Sequence, residues 1–264
     1  MSDARPIGVF DSGLGGLCAV KELRRLLPDE DIIYFGDTGR VPYGTRSPET
    51  IKRYAREDAD FLLSKNVKLA LAACGTVSSV ALDEMKERFP VPLFGVIDGA
   101  VDAAVRATKS GVIAVIGTAA TVDSGVFERK LKARGAESVI SRACPLFVPL
   151  VECGFIMREC EVTKNVAAMY LNDISESGAD TLILGCTHFP IISEIIADML
   201  PGVTLIDPAK EAAKIVADFV TENGIGGRGG KTEYFVSDDA DGFASSANIF
   251  LGNNEKINAT VVKI

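Results

Sequence analysis

A short apolar run that ends at a cysteine and opens into an amphipathic segment occurs twice in this chain, and no other feature limits its fold as strongly. Thr181-Leu182-Ile183-Leu184 closes on Gly185-Cys186-Thr187-His188, after which Ile192, Ile195, Ile196 and Met199 follow at helical spacing. Leu69-Ala70-Leu71-Ala72-Ala73 closes on Cys74-Gly75-Thr76, after which Val77, Val80, Ala81 and Met85 follow. A short apolar run that gives way to a 3.6-residue period reads as strand, tight turn and helix. A cysteine in that turn sits at the carboxyl end of a strand, where open α/β sheets hold their ligands. Two thiols thus occupy corresponding turns of two similar units, and the expectation is that they face each other across one substrate.

The remainder of the chain supports duplication. Strands are expected at 7–10, 32–35, 69–73 and 93–96, then at 112–116, 139–140, 181–184 and 203–206. Helical stripes lie between them, including one over 17–27, one over 100–108 and one starting at Ser47-Pro48-Glu49, with serine as N-cap and proline at the first helical position. Cys74 and Cys186 are separated by nearly the same interval as the strand ends Asp11 and Gly117, and the two cysteine units finish alike, in Val96-Ile97-Asp98 and Leu205-Ile206-Asp207. Strand–helix alternation with near-continuous apolar strands implies parallel sheets covered on both faces. The expected fold is therefore α/β: two pseudo-symmetric doubly wound domains with parallel-rich sheets and the active site in the cleft between them. Residues 1–97 plus 208–264 form the first domain and 98–207 the second, because nothing in the second half matches 209–264. Within that tail a helix is expected over 209–221, then a glycine-rich loop over 224–230 and strands at 234–236 and 259–264. Two further segments read as loops: 36–44, with three glycines and a proline, and the apolar stretch 145–154, which carries one acid, Glu152.

Composition removes several function classes. Of 264 residues, 47% are hydrophobic and 24% charged, which suits a water-soluble core of good size, and the net charge of -8 comes with no basic stripe for nucleic acid. No apolar run approaches the roughly 18 residues that span a bilayer, and the polar start at residues 1–6 is not a signal peptide. A cytoplasmic protein is expected, with its six cysteines reduced. His188 is the only histidine and no Cys-x-x-Cys pair occurs, so the usual metal-ligand spacings are missing and no metal is expected. Residues 11–16 lack the Gly-x-Gly-x-x-Gly spacing, and 224–230 do not lead into Gly-Lys-Ser/Thr, so no cofactor is implied.

The chemistry left to two facing thiols is proton transfer. A free thiol titrates near ~8.5 and environment moves it, so it serves as base or acid. Two thiols on opposite sides of one carbon remove a proton from one face and deliver one to the other, which inverts a stereocentre. One base alone tends to return the proton to the face it left. Buried cysteines are otherwise small hydrophobes, and Cys18, Cys144, Cys153 and Cys160 are read that way.

The marks Phe10-Asp11-Ser12-Gly13-Leu14-Gly15-Gly16, Pro42-Tyr43-Gly44, the Cys74 and Cys186 turns and Val148-Pro149-Leu150-Val151-Glu152 run through essentially the whole chain. In them the chain resembles the glutamate racemases of the cofactor-independent aspartate/glutamate racemase superfamily. The resemblance implies that Cys74 takes the proton from D-glutamate and Cys186 from L-glutamate. It implies that Asp11 and His188 each neighbour one thiol and that Glu152 assists on the Cys186 side. It further implies a substrate site made by Ser12, Pro42, Tyr43, Gly44, Gly75, Thr76, Thr118, Thr121 and Thr187, whose hydroxyls and turn N–H groups suit carboxylates. A role in peptidoglycan synthesis and a homodimer are also implied. Two blander roles stay open: Asp11 as a cap of the first helix, and His188 as a satisfied core histidine. Racemisation of aspartate or another amino acid, and a silent dicarboxylate-binding paralogue, are the alternative functions. One position departs from the pattern: the family has asparagine after the first cysteine, and here it is Gly75. Read as a missing contact, Gly75 predicts weak glutamate binding, and Gly75→Asn is expected to tighten KM more than it raises kcat.

Overall fold

The computed structural model of the protein describes residues 3–252 and 256–264. Among these described residues ten strands form two sheets. β1 (Ile7–Asp11), β2 (Ile32–Gly36), β3 (Leu69–Ala72), β4 (Leu93–Gly95), β9 (Thr232–Val236) and β10 (Ala259–Val261) lie in the order β10-β9-β2-β1-β3-β4. β5 (Val112–Gly117), β6 (Ser138–Ala143), β7 (Thr181–Leu184) and β8 (Thr204–Ile206) lie in the order β6-β5-β7-β8. Every pairing is parallel. The first four strands of each sheet share one order, second-first-third-fourth, so β3 and β7 are topological counterparts. Those are the two strands that precede Cys74 and Cys186.

The apolar runs are buried because helices cover both faces of each sheet. Every residue of β1, β2, β3 and β7 is buried, whereas β6, at a sheet edge, alternates partly exposed with exposed positions. The helix Leu17–Leu26 turns Leu17, Val20 and Leu23 inward and packs on the helices Pro208–Glu222 and Ala240–Leu251. Ser47 caps the helix Pro48–Ser64, its hydroxyl accepting the Thr50 N–H at 3.3 Å. One contiguous cluster of buried side chains joins the sheets, with Val9, Leu71 and Ala73 from the first and Ala114, Ile116 and Leu184 from the second. The two thiol-bearing turns are therefore mounted on a shared core.

Three segments differ from the sequence expectation. Residues 147–152 are a helix, Phe147–Glu152, within the stretch expected to be a loop. Pro149 does not prevent this, since the first turn of a helix has no internal partner for the N–H that proline lacks. The helix expected over 100–108 begins earlier, as Ile97–Ala107. The helix Ala240–Leu251 has no counterpart in the sequence reading. Its Gly, Ser and Ala content hides the apolar stripe Phe243, Ala247, Phe250 and Leu251, and Asp239 starts it by accepting the Gly242 N–H at 2.9 Å.

Candidate active site

The first thiol sits where β3 ends. Cys74 occupies the N-cap position of the short helix Gly75–Val80 and is 5% exposed. Its Sγ lies 3.7 Å from Ser12 Oγ, on the turn after β1. Burial, and then the negative charge of Asp11, push this thiol up to about 12. Asp11 itself, the last residue of β1, is fully buried. Its Oδ2 accepts the Gly13 N–H at 3.0 Å, while Oδ1 meets no donor of the protein. Burial raises its carboxyl, opposed by the positive charge of His188 and by the turn's N–H groups. Asp11 does not cap the first helix, which has Gly16 at its N-cap position and no side-chain cap.

The second thiol sits where β7 ends. Cys186 is 8% exposed, with Sγ 4.0 Å from His188 Nδ1. On the far side of the ring, His188 Nε2 lies 2.9 Å from Glu152 Oε1, and the Phe250 ring meets the imidazole edge-on at 5.2 Å. Burial alone would lower this imidazole. Hydrogen bonds to the Cys186 sulfur and the Glu152 carboxylate outweigh it and raise His188 to about 10. At neutral pH an imidazolium therefore bridges the thiol and the acid. His188 is thus more than a packed core residue, and Glu152, whose side chain is 40% exposed, is paired at a helix end rather than buried in a loop.

Both thiols line one cavity of about 280 Å³ between the sheets. Ser12, Pro42, Tyr43, Gly44, Gly75, Thr76, Thr118, Glu152, Thr187 and His188 line it with them. Two hollows of about 450 Å³ are larger, but no cysteine lines either. Gly13, Val41, Val148 and Pro149 complete the cavity wall. Sequence reasoning passed over them as binding residues although Gly13 and Val41 adjoin residues it selected and Val148-Pro149 opens the motif that ends in Glu152. Two selected residues stand behind the wall. Asp11 acts on the lining through charge. Thr121 is 1% exposed, and its hydroxyl lies 3.0 Å from that of Thr118, so it orients Thr118 rather than meeting a ligand.

Tyr43 also departs from its expected role. Its ring lines the cavity, but its hydroxyl is turned away into a buried cluster, bonded to Asp37 and, at 2.9 Å, to Asp58 Oδ2. Arg40 joins the cluster from its open side, bonded to Asp37, Glu57 and Asp58. Burial and the neighbouring Asp37 raise Asp58 well above the usual carboxylate value, against the pull of Tyr43 and Arg40. The cluster fixes the Pro42-Tyr43-Gly44 loop against the cavity and leaves the phenol no capacity for a substrate.

At Gly75 the structure corrects the expectation of a vacated contact. A Cβ built there would run into the Gly185 carbonyl oxygen and lie 3.3 Å from its carbon. The hollow beside it, between Ala73, Val96, Gly185 and Asp207, measures only about 10 Å³, the space of a single water at most. A side chain at this position meets the Gly185 carbonyl at its first carbon, so the space beside it is not simply vacated.

The hydroxyls of Thr76 and Thr118 lie 3.0 Å apart across the cleft and, with Ser12 and Thr187, surround the thiols with neutral donors. Such donors suit a small anionic molecule. Among the described residues no group of three or more His, Cys, Asp and Glu is placed to hold a metal ion.

Known proteins are similar to this chain in sequence and in fold. The model of the Asp/Glu/hydantoin racemase family matches residues 18–216. A glutamate racemase of Aquifex aeolicus is 47% identical over 246 residues, 93% of this chain and 94% of that protein. One of Geobacter metallireducens is 44% identical over 253 residues, 94% and 93% of the two chains. Among solved structures, the glutamate racemase of Francisella tularensis in complex with D-glutamate superposes with a TM-score of 0.91 at 38% identity, covering 99% of this chain and 98% of that one.

Proposed function

This chain belongs to the Asp/Glu/hydantoin racemase family and interconverts the enantiomers of glutamate, and we propose that it does so by two-base proton transfer between Cys74 and Cys186. The observation that carries this reading is that two thiols at corresponding strand ends line one cavity. With the substrate's α-carbon between them, one sulfur, as thiolate, takes the α-proton and becomes a thiol. The other, as thiol, gives its proton to the opposite face and becomes a thiolate. Between the two events the electron pair is shared with the α-carboxylate, and the hydroxyls of Ser12, Thr76, Thr118 and Thr187 are the donors that meet the growing charge.

The surroundings assign a direction to each sulfur. Burial and Asp11 keep Cys74 a thiol at neutral pH, ready to give its proton. The imidazolium of His188 offers a hydrogen bond to the Cys186 sulfur. In one direction Cys186 takes the proton of L-glutamate and Cys74 gives its own to the opposite face. In the reverse direction Cys74 must ionise, and the substrate's ammonium supplies the positive charge that this side lacks. The bounds 1–97 plus 208–264 and 98–207 for the two domains, a cytoplasmic homodimer and the supply of D-glutamate for peptidoglycan belong to the same proposal. No helix among the described residues is long and apolar enough to cross a membrane.

Circular dichroism of the purified protein with each enantiomer of glutamate and of aspartate, without added cofactor, tests the activity. The glutamate signals decay to zero from both sides while those of aspartate persist, and silence with all four ends the reading. In D2O, product of either hand carries deuterium at the α-carbon from the first turnover. Product that keeps the substrate's own proton points to a single shuttling base instead.

A further inference from the structure

Gly75 has no local reason to be glycine. It is the first residue of the helix Gly75–Val80, and its φ lies outside the left-handed region that favours glycine. Inside a helix glycine is a costlier choice than alanine, because its backbone loses more freedom on folding. What the missing Cβ does is admit a piece of the other domain, because the Gly185 carbonyl oxygen stands where that carbon would be. Position 75 directly follows one thiol-bearing residue and position 185 directly precedes the other. The obstruction is backbone, so no change of rotamer relieves it.

Two other glycines of the first domain sit at the same seam. A Cβ on Gly15 would strike the Thr187 side chain and lie 2.8 Å from His188 Nδ1, and one on Gly44 would lie 2.6 Å from Thr118 Cβ. Each of these contacts is with a side chain of the second domain at a Cβ that no change of rotamer moves, whereas that of Gly75 is with the backbone itself.

We propose that Gly75 is a positioning residue whose bare backbone, seated on the Gly185 carbonyl, sets the distance between the Cys74 and Cys186 sulfurs. This rests on the two-thiol reading. Racemisation needs both sulfurs within reach of one carbon, whereas exchange of the α-proton needs only one. If a side chain at 75 wedges the domains apart, Cys74 as thiolate still takes the proton of a D-glutamate resting on its side. The thiol so formed exchanges with solvent and returns a deuteron to the same face. The product is D-glutamate deuterated at the α-carbon with its configuration retained. A loss of fold gives no such excess of exchange over inversion, and a defect confined to one sulfur gives it with one enantiomer only, whereas a widened gap gives it with both. The proposal also reverses the expected effect of Gly75→Asn, since asparagine carries the same Cβ as alanine.

The test measures, in D2O, deuterium entering unreacted substrate and deuterium in inverted product, by mass spectrometry after chiral separation, for wild type, Gly75→Ala, Gly75→Asn and Gly44→Ala. Wild type is expected to couple exchange to inversion. In both Gly75 variants racemisation falls about 10²-fold, as a misplacement of the order of 1 Å produces, and the ratio of retained exchange to inversion rises at least about tenfold. Gly44→Ala moves the ratio the same way by less, and it decides the question should the Gly75 variants fail to fold. A wild-type ratio in Gly75→Ala, or in Gly44→Ala where only that protein folds, overturns the proposal, as does a tighter KM with an unchanged ratio in Gly75→Asn. Retention of the original proton in wild-type product instead removes the two-thiol reading, and the positioning role with it.

Discussion

Cys74 and Cys186 follow equivalent strands of two equally ordered sheets, yet little around them is equivalent. The Cys74 side is anionic and closed, with a fully buried Asp11 and a serine hydroxyl at 3.7 Å. The Cys186 side is cationic and connected to the surface, through an imidazolium at 4.0 Å held by a half-exposed carboxylate. Duplication supplied the geometry, two sulfurs aimed at one cavity, and left the protonation of each to residues outside the repeat. A racemase can work this way because its two substrates have equal free energy. The overall equilibrium is fixed by that equality, and nothing requires the two bases to match.

The largest effect comes from breaking the pair. Cys74→Ser and Cys186→Ser should each lower racemisation by about 10²–10⁴-fold, the usual contribution of a positioned acid or base, as followed by circular dichroism. Near wild-type activity in either would make that cysteine structural. Next come the residues that differ between the sides. Asp11→Asn and His188→Asn should each lower kcat/KM on the order of 10²-fold, and equally in both directions, since the enantiomers are isoenergetic. The asymmetry appears in the α-deuterium isotope effect, which should grow with L-glutamate in His188→Asn and with D-glutamate in Asp11→Asn. Identical isotope effects in the two variants would erase the distinction drawn here. Glu152→Gln should be milder, within about a factor of ten, because the side chain is 40% exposed and its charge is screened.

The smallest effect is on stability. His188 rises from 6.5 to about 10 on folding. A raised pKa adds stability that is complete below about pH 6.5 and is lost as pH climbs through about 10. The urea midpoint of wild type should therefore converge on that of His188→Gln as pH rises across this window. A constant gap would show that His188 is not the group titrating.

Much of this was legible beforehand because period and punctuation carry it. Both cysteine units, the parallel sheets and the serine cap at Ser47 follow from apolar runs and turn residues. What stayed hidden depends on contacts distant in sequence. Nothing near Tyr43 says that its hydroxyl will meet Asp58 rather than a ligand. Nothing near Gly75 says that the carbonyl of Gly185 will occupy its side-chain space. Thr121 reads like Thr118, and only the fold shows that one faces the cavity and the other braces it. The helix Ala240–Leu251 was missed for a different reason, since its small residues dilute an apolar period that is present.

The strand pairing sets a timetable for the ribosome. β2 is flanked by β1 and by β9, and Ile32 pairs with Thr232 across nearly the whole chain. β5, β6, β7 and β8 pair only among themselves and have all emerged once residue 206 is made. The middle of the polypeptide can thus finish its sheet while the first sheet still waits for β9, β10 and the helix between them. Closing so long a loop is a slow, late event. The turn that carries Cys186 is complete before the sheet that carries Cys74, and a nascent chain holds one half of a proton relay with nothing to relay to.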